Sequence, residues 1–181
     1  MLVAATELLV HSGPRAVTVD AVAAASGVAK STLYRHWDSR QELLIDVIKG
    51  SYRDIEPPDL ERGFEPALRD LMQSVVELFA DPEWIQIFPS VASLRSSIPE
   101  LDAYFEADMA EKREPLRAVL DLGIAEGVLP EGLDLEDASS LLAGPLLLTA
   151  LMQADHDEAL AALTRLADYV VDRFIASHRS M

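Results

Sequence analysis

The chain has 181 residues, half of them hydrophobic, with no cysteine and a formal net charge of −16. That length suffices for one or two small domains with a real core, and the lack of cysteine excludes a disulfide framework and any thiolate metal site, which makes a reducing cytoplasm the expected compartment. The opening M-L-V-A-A-T-E-L-L is unlike a secretory signal, and the longest apolar run, Leu141 to Met152, falls short of the roughly 20 residues that span a bilayer, so no membrane partner is expected.

Helical periodicity dominates and strand signals are nearly absent, which predicts an all-α fold. Leu2, Ala5, Leu8 and Leu9 share one stripe of a first helix, ended by S-G-P at 12–14. Thr18 precedes V-D-A-V-A-A-A, where its hydroxyl can accept from an N–H of the first turn while Asp20 sits near the positive end of the helix dipole. Gly27 supplies a positive φ at which the chain can turn sharply. A third helix is expected from Lys30 to Trp37. Ser39-Arg40-Gln41-Glu42 then has the S-x-x-E spacing of a reciprocal capping box, opening a fourth.

I-E-P-P-D-L at 55–60 is the clearest break, since neither proline can continue a helix and each restricts its predecessor. It sets the expected boundary between a module of residues 1–50 and a second of residues 51–181. Charge divides at the same place: the first fifty residues hold five basic and five acidic groups, the remainder ten and twenty-six. Such asymmetry suggests modules with different partners. Because salt screens charge over about 8 Å, an acidic body held away from a polyanion repels it only weakly, and the negative total does not exclude DNA.

Beyond the boundary, helical patterns run at 64–80, 84–97, 100–127, 135–153 and 157–177. Pro115 lies inside the third and is expected to kink or split it. A-S-S-L-L-A-G-P-L-L-L-T-A-L-M is apolar nearly all the way round and must be buried on more than one side. A-L-A-A-L-T-R-L-A-D-Y-V-V-D-R-F adds a second broad apolar face. An intermolecular four-helix bundle would cover both, which predicts an isologous homodimer.

The residues that point to function are Ala23, Gly27 and Leu33. A helix-turn-helix needs a small side chain where its helices nearly touch, a turn residue tolerant of positive φ, and a bulky apolar residue on the inner face of the second helix. With Leu33 and part of Trp37 buried, Lys30, Ser31, Thr32, Tyr34, Arg35 and His36 face solvent or a groove. That face is rich in hydrogen-bond donors, which phosphate oxygens and base edges accept from. T-V-D-A-V-A-A-A-S-G-V-A-K-S-T-L-Y-R-H-W-D-S-R-Q-E-L-L resembles the DNA-binding domain of TetR-type transcriptional regulators over about Leu2 to Ile48. The resemblance implies a three-helix helix-turn-helix domain followed by a helical ligand-binding and dimerisation domain. It implies phosphate contacts from Thr18, Tyr34, His36 and Arg40, and base or backbone contacts from Lys30, Ser31, Thr32 and Arg35. The implied partners are a double-stranded DNA operator, an apolar small-molecule effector and a second copy of the chain. Family members usually carry a basic segment before helix one, whereas no Lys or Arg precedes Arg15 here, which implies a truncated N-terminus or weaker binding. Ala29 stands where a serine commonly caps the recognition helix, a loss of about 1 kcal/mol at that end.

Other chemistries find less support. His156 in D-H-D-E has carboxylate neighbours, but adjacent residues in a turn seldom converge on one ion, and Asp157 serves more naturally as an N-cap. Asp102, Glu106 and Asp108 fit the solvated face of a helix, and neither a nucleophile–base pair nor a glycine-rich phosphate loop is present, so no catalysis, metal or cofactor is expected. Met72, Trp84, Phe88, Phe105 and Met109 are candidates for an apolar ligand pocket, with Gln86, Ser90 or Arg95 as its polar groups. The competing reading is a helical small-molecule-binding or interaction protein that has lost DNA binding.

Overall fold

The computed structural model describes the backbone of residues 1–51, 55–153 and 156–178; the side chains of Ser51, His156 and Asp157 lie outside that description. Among the described residues the chain forms helices α1 (Leu2–Ser12), α2 (Val19–Ser26), α3 (Lys30–His36), α4 (Arg40–Ser51), α5 (Phe64–Ala80), α6 (Pro82–Arg95), α7 (Pro99–Ala125), α8 (Leu135–Met152) and α9 (His156–His178). Two single 3-10 turns, Pro14–Ala16 and Leu60–Arg62, supplement them, and no strand occurs among those residues. The all-α expectation holds. The Asp157 cap falls outside the described residues, as do 52–54, just before the I-E-P-P-D-L stretch expected to divide the modules.

Pro115 does not split α7, which runs from Pro99 to Ala125 as one helix. The lost hydrogen bond is local, while Leu116, Val119 and Leu120 just beyond it are buried and hold the following turns in place.

The chain divides into two compact units, one of Met1–Arg53 with Glu83–Ala107 and one of Asp54–Pro82 with Asp108–Met181. The sequence boundary assigns everything after residue 50 to the second module, whereas Glu83–Ala107 groups with the N-terminal helices. The reason is apolar: Ile87 and Val91 of α6, Ile98, and Leu101 of α7 join Leu9, Val22, Leu33, Leu44 and Ile48 in one buried cluster. Ring contacts extend it, with Lys49 Nζ 5.0 Å from the Tyr104 ring centre and the Arg95 guanidinium 4.1 Å from that of Phe105.

In the second unit, α5, α8 and α9 pack against one another. Phe64, Leu68, Leu71, Met72, Val75 and Val76 form the buried stripe of α5, at the spacing a helix needs to keep one face inward. The start of α5 is held from a distance in sequence: the Phe64 N–H donates to Glu126 Oε1 at 3.2 Å. Nearby, Gly123 is glycine for lack of space, because a Cβ there would lie 2.7 Å from Phe64 Cδ2 and 2.8 Å from Leu129 Cδ1. Arg69 links α5 to α9 through Asp172 at 2.6 Å while also pairing with Glu65 on its own helix at 2.8 Å; these acceptors raise its pKa, the Asp172 hydrogen bond most.

Asp134 caps α8, its Oδ1 accepting from the N–H groups of Glu136 and Asp137 at 2.8 and 2.9 Å. Ala138, Leu142, Leu146 and Ala150 are the buried side of that helix. The opposite side leaves Leu141 56%, Leu148 61% and Met152 74% exposed. On α9, Ala159, Leu163, Ala167, Val171 and Phe174 are buried while Tyr169 and part of Leu160 face out. By length and composition α8 would suffice to cross a membrane, but its packing against α5 and α9 identifies it as a bundle helix.

Candidate nucleic-acid interface

The candidate interface comprises the loop before α2, the tight turn after it, and the exposed side of α3. Thr18 enters α2 as its N-cap in an extended conformation, φ −131° and ψ 154°, and its Oγ1 accepts from the Ala21 N–H at 3.1 Å. This satisfies one of the amides that the first turn cannot pair internally, and it leaves the hydroxyl proton available to an outside acceptor. Gly27 closes α2 with φ 69° and ψ 7°, its N–H donating to the Ala23 carbonyl at 3.0 Å. A Cβ at Gly27 would meet nothing within 4 Å, so the requirement for glycine is the left-handed backbone and not space.

α3 then runs from Lys30 with Ala29 at its cap and no side-chain cap bond, as the sequence leads one to expect. Leu33 is fully buried and Trp37 is 5% exposed. Trp37 is also fixed by its indole, whose Nε1–H donates to Asp46 Oδ2 of α4 at 2.8 Å. With those two side chains turned inward, Lys30, Ser31, Tyr34, Arg35 and His36 are exposed, Thr32 is half-buried, and Tyr34 reaches 51% exposure. An aromatic ring left that far in water by a helix with an apolar core beneath it is free to stack on or donate to a partner.

Two of the candidate cations have partners that periodicity gave no signal for. Lys30 Nζ lies 2.9 Å from Asp20 Oδ1, an exposed pair between α3 and α2; the hydrogen bond to Asp20, with its charge, raises the lysine pKa. Arg40 turns back toward the loop before α2, with Nε donating to the Val17 carbonyl at 2.9 Å and Nη2 to that of Pro14 at 2.5 Å. The capping box at the start of α4 is present with a shifted return bond. The Glu42 N–H donates to Ser39 Oγ at 3.1 Å, while Glu42 Oε2 accepts from the N–H of Asp38, one residue earlier than the reciprocal motif requires.

The five pocket candidates are distributed over both units. Trp84, Phe88 and Phe105 belong to the first, where Trp84 and Phe88 stack with ring centres 4.9 Å apart. Met72 and Met109 belong to the second, Met72 buried and Met109 half-buried. Arg95, expected as a polar pocket group, is engaged with Asp102 at 2.8 Å, with Glu106 and with the face of Phe105. Among the described residues no group of three or more His, Asp or Glu is placed to hold a metal ion.

Comparison with known proteins agrees with this architecture. Residues 1–47 match the model of bacterial regulatory proteins of the tetR family, and residues 62–170 match that of the tetracyclin repressor-like C-terminal domain. The chain is 26% identical to the HTH-type transcriptional regulator YdeS of Bacillus subtilis (strain 168), covering 86% of this chain and 79% of that protein. It is 28% identical to the HTH-type transcriptional repressor KstR2 of Rhodococcus jostii (strain RHA1), covering 76% and 70%. The structure of the flavonoid-responsive regulator FrrA superposes with a TM-score of 0.72 at 25% identity, covering 98% of this chain and 94% of that one. A helix-turn-helix with an exposed donor face, followed by a helical bundle that matches the tetracyclin repressor-like C-terminal domain, places this chain in the TetR family of transcriptional regulators.

Proposed function

We propose that this protein is a ligand-responsive repressor of the cytoplasm that binds a pseudo-palindromic operator as a homodimer. The observation that carries the reading is the orientation of α3, with Leu33 and Trp37 turned into the core and Lys30, Ser31, Tyr34, Arg35 and His36 facing outward. In a two-fold dimer two such helices enter successive major grooves about 34 to 36 Å apart. Thr18, Tyr34 and His36 take phosphate oxygens and fix the register, while Lys30, Ser31, Thr32 and Arg35 reach base edges or backbone. The exposed stripe of Leu141, Leu148 and Met152 on α8 and the exposed Tyr169 of α9 supply the apolar face for the second copy.

The effector is an apolar small molecule, taken up among apolar side chains of the helical region that follows the helix-turn-helix. Its binding favours a dimer conformation whose recognition helices no longer match the groove spacing, so that DNA affinity falls by population shift. The repressor sign is supported by the likeness to the repressor KstR2, and a small-molecule effector by the likeness to the flavonoid-responsive FrrA.

The test is titration of a duplex from the neighbourhood of the chain's own gene at several salt concentrations. Specific binding with a steep salt dependence is expected. Arg35→Ala should lower affinity and also change which sequence is preferred, whereas Tyr34→Phe should weaken binding uniformly. Salt-independent or undetectable binding would favour the reading in which the helix-turn-helix has lost DNA binding.

A further inference from the structure

The structure assigns Arg40 a role in DNA binding that is indirect. We propose that its guanidinium is a positioning group, holding the Pro14–Val17 turn so that Thr18 meets phosphate at a fixed place. The inference rests on the DNA-binding reading above and goes beyond it, since a cation at the start of α4 otherwise reads as a phosphate contact in its own right.

Three observations carry it. First, Arg40 directs two donors of its planar fork inward, Nε to Val17 O at 2.9 Å and Nη2 to Pro14 O at 2.5 Å, and the side chain is half-buried in doing so. A lysine, with a single point of charge, cannot span two carbonyls in that way. Second, those carbonyls need a partner. Val17 precedes the α2 cap and its oxygen is outside the helix ladder, and Pro14 O otherwise accepts only a long 3.3 Å bond from the Val17 N–H. Third, both ends of the strut are anchored. The α4 start is fixed by Ser39 Oγ and Glu42, and Leu43 and Leu44 behind it are fully buried; at the other end the Val17 side chain is fully buried. The residue after Val17 is Thr18, whose hydroxyl caps α2. Arg40 therefore sets where that hydroxyl lies relative to the recognition helix.

Arg40→Lys and Arg40→Met separate the two roles when each is titrated against the same duplex over a salt series, alone and with Thr18→Ala. A positioning group predicts that both variants lose about tenfold in affinity with the salt slope unchanged. It also predicts that either variant loses less than the sum of the single effects when combined with Thr18→Ala. A direct phosphate contact predicts that Lys retains wild-type affinity while Met flattens the slope by about 0.9, and that result would overturn the inference, as would additivity with Thr18→Ala. Thermal unfolding of each variant checks the fold; should Met fail to fold, Lys decides alone, because it keeps the charge and loses only the fork. Wild-type protein that bound no duplex would overturn the functional reading and this one with it, and that result is seen before any variant is compared.

Discussion

At the scale of single residues, the exposed side of α3 is set by a few inward anchors, and its charge is partly answered within the protein. Asp20 and Lys30 are paired at 2.9 Å with both side chains about three-fifths exposed, at 59% and 60%. Such a pair adds little to stability in water, but beside a polyanion it matters, because the carboxylate competes with phosphate for the ammonium. Asp20→Asn should free Lys30 for the duplex. The expected result is tighter binding and a salt slope steeper by about 0.9, measured by the same titration series; an unchanged slope would show that Lys30 meets base edges only. The acid raises the Lys30 pKa, so any stabilisation from the pair is fully present below the unfolded lysine value and is lost only as pH rises through the higher folded value. Stability followed across neutral pH should therefore show no pH dependence from it, because the lysine stays protonated in both states. The candidate site was legible in sequence as far as local rules reach: the Thr18 cap, the left-handed Gly27 and buried Leu33 follow from spacing and backbone chemistry, and the uncapped Ala29 from the family resemblance. The partners of Lys30, Trp37 and Arg40 did not, because Asp20, Asp46 and the carbonyls of Pro14 and Val17 lie 9 to 26 residues away and meet them only through tertiary packing.

Whole elements follow the apolar period closely: the buried stripe of α5 and the Asp134 cap of α8 are local features, and the helices they define stand within a few residues of their sequence patterns. What periodicity could not give is where one element lets another come near. Glycine is ordinarily a weak point of a helix, yet Gly123 is buried where Phe64 of α5 and Leu129 approach the α7 backbone. Gly123→Ala would ordinarily stabilise a helix interior by roughly 1 kcal/mol. Here the added methyl has no room, and overpacking should win, with a net loss of about 1–3 kcal/mol measured by denaturant unfolding. A gain would mean that Phe64 can shift at no cost. Conversely, Ala29→Ser places a cap where α3 has none, and should add about 1 kcal/mol to stability. The grouping of α6 with the N-terminal helices escaped sequence reasoning for a related reason: Ile87 and Val91 have the same spacing whichever core they enter.

For the whole molecule the decisive quantity is exposed apolar area on one side of the second unit. Leu148 is 61% and Met152 74% exposed on a helix whose other side is already packed, and an apolar stripe of this kind on a chain of net charge −16 calls for a partner surface that is itself apolar. The proposed homodimer would provide one by two-fold symmetry, since the same stripe would meet itself. Leu148→Arg tests this at the centre of the stripe. In the isolated chain the side chain is mostly in water, so the fold should be nearly indifferent, within about 0.5 kcal/mol. In the dimer two arginines would be driven together in a desolvated place, and the association should fail. Sedimentation is expected to find wild type as a dimer and the variant as a monomer at micromolar concentration. The consequence for DNA follows from linkage: two heads on one body gain an effective concentration that a single head lacks, worth about 10²–10⁴ in affinity. Leu148→Arg should therefore lose that factor on a duplex with two half-sites and lose almost nothing on a duplex with one. A variant that stayed dimeric, or that lost affinity equally on both duplexes, would place the self-association surface elsewhere.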